Sequence, residues 1–260
     1  MRTQTNDWNP GAYAKFRGFR LRPALDLLNQ IGDLPEGDIV DLGCGNGPVG
    51  PALAARFAGR NLIGVDASAT MLKEAQKTGS YSQLVRADAV QWHPKRPPAL
   101  IFSNALCHWL GDHASLFQRL CDLLAPGGTL AVQMPRQFDA PSHALLRQIS
   151  QAEFPDIFDF THWNAPVAEP ASYAGWLAGA GELNIWETEY FQRLEPVAQG
   201  HPVRHFTGST AMRPFLEKLD DDGQALLISR YDQALSDAYP LDENGSVMFP
   251  FRRLFFVLTR

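Results

Sequence analysis

The stretch that decides the fold is Ile39-Val-Asp-Leu-Gly-Cys-Gly-Asn-Gly47. Its first four residues are typical of the end of a buried strand, and three glycines follow at alternate positions. Because glycine lacks a Cβ, such a loop can turn sharply and let a ligand approach its backbone. The next residues, 48–57, are rich in alanine and have a helical pattern. A strand, a glycine loop and a helix in this order predict a nucleotide site at the carboxyl end of a parallel strand.

The spacing of the glycines restricts the class of nucleotide. The dinucleotide fingerprint needs a third glycine where this chain has Pro48, which disfavours an NAD-dependent dehydrogenase. A phosphate-binding P-loop needs a lysine after its last glycine, and no lysine lies between Lys15 and Lys73. The acidic residue followed by three alternate glycines, Asp41 to Gly47, instead resembles the first motif of Rossmann-like S-adenosylmethionine-dependent methyltransferases. An ordinary tight turn between strand and helix is the alternative.

Acidic residues at the ends of the next strands favour the nucleotide interpretation. Residues 61–66 are predicted to form a second strand that ends in Asp66, at about the 20-residue spacing of ribose-binding acids. A carboxylate there can accept hydrogen bonds from both ribose hydroxyls. Ser68 is predicted to cap the helix 69–76. The methyltransferase resemblance further implies that Asp88, after a strand over 82–87, binds the adenine amine together with neighbouring backbone.

The fourth predicted strand, 99–104, is where this resemblance places the reaction. The carboxyl end of that central strand faces the methyl group in the methyltransferase pattern, so residues 104–109 are expected to line the boundary between cofactor and substrate. The cofactor is S-adenosylmethionine and its product S-adenosylhomocysteine. The residues assigned to cofactor binding are Asp41, Gly43, Cys44, Gly45, Asp66, Ala67, Met71, Asp88, Ala89, Asn104, Ala105 and Trp109.

The order of predicted elements indicates an α/β fold with a Rossmann-like methyltransferase sheet. The turn Leu124-Ala-Pro-Gly-Gly128 precedes a fifth strand over 129–134, another mark of the same class. The sheet is expected to be mostly parallel, with an antiparallel last strand over 249–258. We expect one domain over 1–260, in which two insertions, 136–182 and 191–245, form a helical cap over the substrate site.

Composition excludes several classes of function. The net charge of −5 argues against a nucleic-acid partner, which normally requires a basic surface. No apolar run is long enough for a membrane span, and the N-terminus lacks the apolar core of a signal peptide. Three irregularly placed cysteines predict neither a disulfide framework nor a metal site. The expected setting is a reducing cytoplasm.

Motifs at both ends of the chain resemble one family within this class, the bacterial trans-aconitate 2-methyltransferases. These motifs are Asp7-Trp-Asn-Pro, Tyr13, Phe16, Arg22-Pro-Ala, Val132-Gln-Met-Pro135, His143, Met212-Arg-Pro214, Tyr239-Pro-Leu, Asn244-Gly245 and Arg253-Leu-Phe. The resemblance implies methyl transfer to a carboxylate of trans-aconitate or a related small polycarboxylic acid, giving a monomethyl ester. The chain departs from the family pattern at Arg136-Gln137, Ala140-Pro141 and Ala211, where substrate contacts are expected.

The predicted chemistry needs no general base. A carboxylate is already ionised at neutral pH, so positioning should dominate catalysis and no catalytic residue is assigned. The other charges of a polycarboxylate need cations and hydrogen-bond donors around them. The residues assigned to substrate binding are Tyr13, Arg22, His108, His143, Arg213, Tyr231 and Arg253. Two alternatives stay open: a methyltransferase for another small metabolite, and a non-catalytic regulator that binds S-adenosylmethionine.

Overall fold

The structure of the protein is a computed structural model that describes residues 17–208 and 210–260, with backbone only for residues 17–20. Tyr13, one of the residues predicted to bind substrate, lies outside the described residues. The chain divides into two compact units. The first comprises residues up to 135, 166–188 and 253–260, and the second comprises 136–165 and 189–252.

The first unit contains the strands and helices that surround the glycine loop. In chain order these are α1 (Arg17–Asn29), β1 (Ile39–Leu42), α2 (Gly50–Arg56), β2 (Leu62–Asp66), α3 (Ala69–Gln76), β3 (Gln83–Arg86), β4 (Leu100–Asn104), the 3-10 helix Cys107–Trp109, α4 (His113–Asp122), β5 (Thr129–Pro135) and α6 (Pro170–Trp176). The second unit contains α5 (Pro141–Glu153), α7 (Pro202–Gly208), α8 (Arg213–Leu216) and α9 (Asp221–Ala238). The unit boundary falls within β6 (Glu182–Leu194) and β7 (Val247–Thr259).

The seven strands form one sheet in the order β3-β2-β1-β4-β5-β7-β6. Strands β1 to β5 pair in parallel, and β7 pairs antiparallel to β5, as the sequence predicts. The chain moves outward from β1 to β2 and β3, then returns to place β4 on the other side of β1. This reversal is a topological switch point, and open α/β sheets bind ligands outside the carboxyl ends of their strands there.

The central strands are hydrophobic because both faces of the sheet are covered. All four residues of β1 are buried, as are the first four of β4. Aromatic rings pack on one face of β7, where Phe256 makes an edge contact with Phe117 of α4 and stacks on Tyr173 of α6. Parallel strands buried on both faces have continuous apolar runs rather than alternation, which is the pattern that the sequence shows.

The second unit has its own core. Helices α5 and α9 lie against each other, and Tyr231 of α9 is fully buried and donates a hydrogen bond to the backbone oxygen of Ser142, 2.6 Å away. The backbone amide of the same serine donates to the Tyr239 hydroxyl at 3.1 Å. Residues 166–182, which the sequence analysis assigns to an insertion, group with the first unit. That the inserted segments cap the substrate site stays a prediction.

Two helices differ in where their proline lies. Helix α1 starts at Arg17 and continues through Pro23. Proline is usually placed in the first turn because it lacks an amide hydrogen, and a helix interior that includes it loses one backbone hydrogen bond. Helix α6 begins at Pro170, so its proline lies in the first turn. None of the described helices combines the length and apolar character that a membrane span needs.

Candidate functional site

The glycine loop after β1 combines two different requirements for glycine. Gly43, Gly45 and Gly47 all have positive φ, at 77°, 55° and 76°, which L side chains rarely adopt. A Cβ on Gly43 would lie 2.7 Å from the Cβ of Leu106. A Cβ on Gly45 would have no heavy atom within 4 Å. Packing therefore requires glycine at position 43, while position 45 presents open backbone to a ligand.

Asp66 connects the loop to the next helix. Its Oδ2 accepts a hydrogen bond from the backbone amide of Gly45 at 2.9 Å, and its Oδ1 accepts one from Ser68 at 2.8 Å. The Ser68 hydroxyl in turn accepts from the amide of Met71, which confirms the predicted cap of α3. A carboxylate has about four acceptor positions, so two remain for ligand hydroxyls. This arrangement suits the predicted ribose contact.

Asp41 is buried below the loop and is hydrogen-bonded to a side chain that the sequence analysis missed. The hydroxyl of Tyr81 donates to Asp41 Oδ2 at 2.7 Å. Burial raises the pKa of Asp41 from 3.8 to about 7, the Tyr81 hydrogen bond opposes that rise, and the nearby Asp66 carboxylate adds to it. This carboxyl group therefore keeps its proton to a higher pH than an ordinary aspartate does. A cationic ligand nearby would favour its ionised form.

Tyr81 also explains why the loop region is rich in glycine. A Cβ on Gly50 would lie 2.8 Å from two ring carbons and the hydroxyl oxygen of Tyr81, and one on Gly64 would lie 2.9 Å from a carbon of the same ring. A Cβ on Gly47 would lie 3.0 Å from the same ring. The Tyr81 ring therefore packs against the glycine loop and β2. No local sequence signal marks it, because its contacts come from distant parts of the chain.

The segment after β4 is held in an uncommon conformation. Ala105 has φ of 55°, and its amide donates to the backbone oxygen of Gln133 at 2.9 Å. His113 holds the following 3-10 helix, since its Nε2 lies 2.9 Å from the Cys107 carbonyl oxygen and its Nδ1 lies 2.7 Å from the Tyr173 hydroxyl. Burial lowers the pKa of His113. Non-glycine residues at positive φ often occur at functional sites, where surrounding structure maintains the strain.

The sheet register brings several of these side chains to one face at the carboxyl edge. Asp41 is paired with Gly64 and with Phe102, and Asp66 and Asn104 are each two residues farther along those strands. Since side chains alternate along a strand, Asp41, Asp66 and Asn104 lie on the same face. The Oδ1 atom of Asn104 is buried, and it has no hydrogen-bond partner among the described residues.

The other predicted cofactor residues have more varied surroundings. Asp88 is exposed, and its Oδ1 accepts from the amide of Val90 at 2.8 Å, which is the ordinary turn geometry of aspartate. Ala89 is buried, and its backbone oxygen accepts from Arg119 at 2.6 Å. The remaining members of the set are Ala67, which is exposed, Cys44, which is buried, Met71, which is partly buried, and Trp109, which is 51% exposed.

Among the substrate candidates of the first unit, Arg253 has the most distinctive environment. It is only 6% exposed and lies opposite Pro135 at the carboxyl end of β5. Arg22 on α1 has a side chain that is 71% exposed, 3.9 Å from Asp26. His108 is partly buried beside Trp109, with ring centroids 4.6 Å apart. A buried guanidinium is rare and costly, and this one lies at the edge of the sheet where the substrate contact is predicted.

The substrate candidates of the second unit are held by neighbouring groups. His143 lies with its Nδ1 3.0 Å from the Ser142 hydroxyl, and burial, with the charge of Arg147 adding to it, lowers its pKa to about 4. Arg213 forms an ion pair with Glu217 at 2.6 Å. The Tyr231 hydroxyl is buried and donates to the backbone oxygen of Ser142 in its own unit, so this donor does not need a ligand as its acceptor. Within residues 17–208 and 210–260, no group of His, Cys, Asp and Glu residues is suited to holding a metal ion.

Comparisons with known proteins agree with this geometry. A family model described as a methyltransferase domain matches residues 13–182. Curated trans-aconitate 2-methyltransferases of Methylobacterium nodulans and Rhizobium meliloti are 40% and 38% identical to this chain, over 98% and 97% of it and 98% of each relative. A phosphoethanolamine N-methyltransferase of Haemonchus contortus, solved with S-adenosylhomocysteine, shares the fold at a TM-score of 0.56 and 18% identity, covering 99% of this chain and 58% of that one. The chain therefore belongs to the trans-aconitate 2-methyltransferase family of methyltransferase-domain proteins.

Proposed function

We propose that this protein transfers a methyl group from S-adenosylmethionine to a carboxylate of trans-aconitate, which gives a monomethyl ester. The observation that carries the proposal is the near full-length similarity to relatives that bear this name, at 37–40% identity. A related small polycarboxylic acid is the alternative acceptor, because the chain departs from the family pattern at Arg136-Gln137, Ala140-Pro141 and Ala211.

The donor site is assigned to the carboxyl edge of β1, β2 and β4. The open backbone at Gly45 and the remaining acceptor positions of Asp66 suit the sugar of a nucleoside. The buried Oδ1 of Asn104, without a partner in the described part of the chain, suits a hydrogen-bond donor such as an ammonium group. When bound there, S-adenosylmethionine supplies an electrophilic methyl group on a positively charged sulfur. Asp41, whose pKa is raised by burial, would add negative charge to the same region on ionisation.

The protein's contribution to the reaction is proposed to be positioning. The acceptor carboxylate is ionised at neutral pH and attacks without losing a proton, so no side chain needs to act as a base. Alignment of the two reactants can supply about 7–11 kcal/mol of the barrier reduction. Water must be kept out because it solvates the carboxylate and weakens its nucleophilic oxygen. Catalysis therefore depends on groups that hold the acid in one orientation.

The charges of a tricarboxylate require compensation in such a site. Arg253 is the best supported cation, since it is buried at the carboxyl edge of the sheet. Arg213 would have to exchange its pairing with Glu217, and Arg22 would have to lose solvent exposure. His143, His108 and Tyr231 stay proposed hydrogen-bond partners, and Tyr13 lies outside the described residues. His143 and Arg213 both belong to the second unit.

One experiment tests the proposal against its alternatives. The purified protein is incubated with S-adenosylmethionine carrying a labelled methyl group and with a panel of di- and tricarboxylates, and base-labile methyl esters are quantified. Label in trans-aconitate above the other acids supports the proposal. Label in a different acid would move the assignment to another metabolite. Binding of the donor without transfer to any acid would support the non-catalytic regulator.

We also propose a reducing cytoplasm as the setting, which the three free, buried cysteines support.

A further inference from the structure

Gln133 of β5 is a buried polar side chain whose hydrogen-bonding capacity is unused. It is 1% exposed, and neither its Oε1 nor its Nε2 has a hydrogen-bond partner in the described parts of the chain. Gln137, also buried, shows the usual situation: its Nε2 donates to Ser142 Oγ at 3.3 Å, and its Oε1 accepts from the amide of Arg252 at 3.1 Å. A buried amide without partners destabilises a fold, so its presence at position 133 needs another explanation.

The sheet register places Gln133 beside the proposed methyl-transfer site. It is directly opposite Asn104 of β4 on one side and Phe255 of β7 on the other. Opposite residues share a face, and Arg253 lies two positions from Phe255, so these side chains face the same way at one edge of the sheet. Asn104 Oδ1 also lacks a partner among the described residues. Among the described residues, two adjacent strands thus present the unpaired amide of Gln133 and the unpaired amide oxygen of Asn104 near a buried guanidinium.

The surroundings of Gln133 fix its backbone and provide an apolar wall. Its backbone oxygen accepts the amide hydrogen of Ala105, the residue held at positive φ. Beside it, Phe255 stacks on Trp186 with ring centroids 5.1 Å apart. A polar group on a rigid strand within a largely apolar setting is the usual way in which binding sites fix the orientation of a small ligand. The strand position therefore favours a ligand contact for this amide.

We propose that Gln133 is a specificity-determining residue of the acceptor site, where its amide Nε2 donates to the carboxylate that receives the methyl group. The inference rests on the proposed function and names a residue that orients the acceptor. In the reaction, the carboxylate oxygen forms a bond to the methyl carbon, the carbon–sulfur bond breaks with its electron pair left on sulfur, and no proton moves.

A neutral donor suits this step better than a cation. A guanidinium in direct contact with the attacking oxygen would withdraw electron density from it and weaken the nucleophile. A hydrogen bond from an amide orients the carboxylate and leaves most of its charge available. Arg253, a neighbour on the same face, can then compensate a different carboxylate of the same acid. This division of roles selects acids with at least two carboxylates.

The test replaces Gln133 and measures binding, turnover and stability separately. Gln133→Leu removes the amide at similar size, and Gln133→Met repeats the test with a side chain that fits irregular space. We expect the KM for trans-aconitate to rise roughly 10–100-fold, the range for losing a hydrogen bond to a charged group, while the donor Kd stays within about twofold of wild type. We expect Tm to stay equal or rise, because an unpaired buried amide has been removed. Gln133→Glu should raise the KM further by repulsion.

Two results would overturn the inference, and a control separates them from general effects. An unchanged KM in both apolar variants would show that the amide does not bind the acceptor. A donor Kd that rises by the same factor as the KM would show that it binds the donor instead. Ser150→Ala removes another buried polar atom that has no partner in the described residues, and it should leave the kinetics unchanged. If the wild-type protein binds the donor but methylates no acid, the proposed function fails and this inference falls with it.

Discussion

Replacement of Gly43 by alanine tests whether the first glycine of the loop is required by the fold, in contrast to Gly45. Both residues have positive φ, at 77° and 55°. Only the Cβ of Gly43→Ala would overlap a neighbour, because Leu106 lies 2.7–2.8 Å away through its Cβ, Cγ and Cδ2. The overlap includes the Leu106 Cβ, so rotation of the side chain cannot relieve it fully. Both variants therefore place alanine at positive φ, but only the Cβ of Gly43→Ala comes too close to the Leu106 side chain.

Gly43→Ala and Gly45→Ala should differ in how much they lower the free energy of unfolding. An alanine in the left-handed region costs about 1–2 kcal/mol, and the loss of glycine's freedom in the unfolded chain returns about 0.4–1 kcal/mol. Gly45→Ala should therefore lower the free energy of unfolding by roughly 0–1.6 kcal/mol. Overpacking adds about 1–3 kcal/mol for Gly43→Ala. Each kcal/mol corresponds to roughly 2–4 °C in Tm for a chain of this size.

Calorimetric unfolding and titration with S-adenosylmethionine measure the two effects. We expect Gly43→Ala to have the lower Tm of the two variants. We expect Gly45→Ala to fold almost normally but to bind the donor more weakly, because its Cβ projects from backbone that the ligand approaches. Equal Tm values for the two variants, or a donor affinity at Gly45→Ala that matches wild type, would refute this account of the loop.

Three further predictions follow from the described contacts. In the folded protein Asp41 keeps a proton that the unfolded chain releases above about pH 4, so folding favours the protonated form. As the pH rises from 4 to 7, the free energy of unfolding of wild type should therefore fall relative to that of Asp41→Asn, by up to about 1.4 kcal/mol per pH unit. Urea titrations at several pH values measure this, and parallel profiles would contradict it. Asp66→Ala should raise the donor Kd roughly 10–100-fold in calorimetric titration, since it removes a charged hydrogen-bond acceptor, and an unchanged Kd would exclude the ribose contact. Arg253→Leu should raise the KM for trans-aconitate by about 100-fold or more, whereas the exposed control Arg230→Leu should leave the KM unchanged. A KM of Arg253→Leu equal to that of wild type would remove Arg253 from the site.

Features that depend on local sequence were predicted well. The strand and glycine loop around Asp41, the Ser68 cap and the helix 69–76 all follow from short-range rules of backbone conformation and capping, and the structure has them at those positions. The parallel order of the first five strands and the antiparallel last strand followed from the resemblance to methyltransferases, and these are also confirmed.

Features that depend on register and distant packing were missed. Tyr81 could not be connected with Asp41 from the sequence, because the contact depends on how a loop folds under β1 and β2. In the sequence, Gln133 was only one residue of the family motif Val132-Gln-Met-Pro135. The face of the sheet on which its side chain lies is known only from the register of β4, β5 and β7. Tyr231 was expected to form a hydrogen bond with the substrate, and this contact stays a prediction. The structure places its hydroxyl against the Ser142 carbonyl oxygen inside the second unit, a contact that the sequence did not indicate.

The central claim is that this chain esterifies a small polycarboxylic acid with the methyl group of S-adenosylmethionine. The most direct measurement is mass spectrometry of trans-aconitate after incubation with the protein and the donor carrying a deuterated methyl group. The account predicts a singly methylated, base-labile ester that contains the label, together with an equal amount of S-adenosylhomocysteine. Donor binding without any labelled ester, from trans-aconitate or from the other acids of the panel, would contradict it.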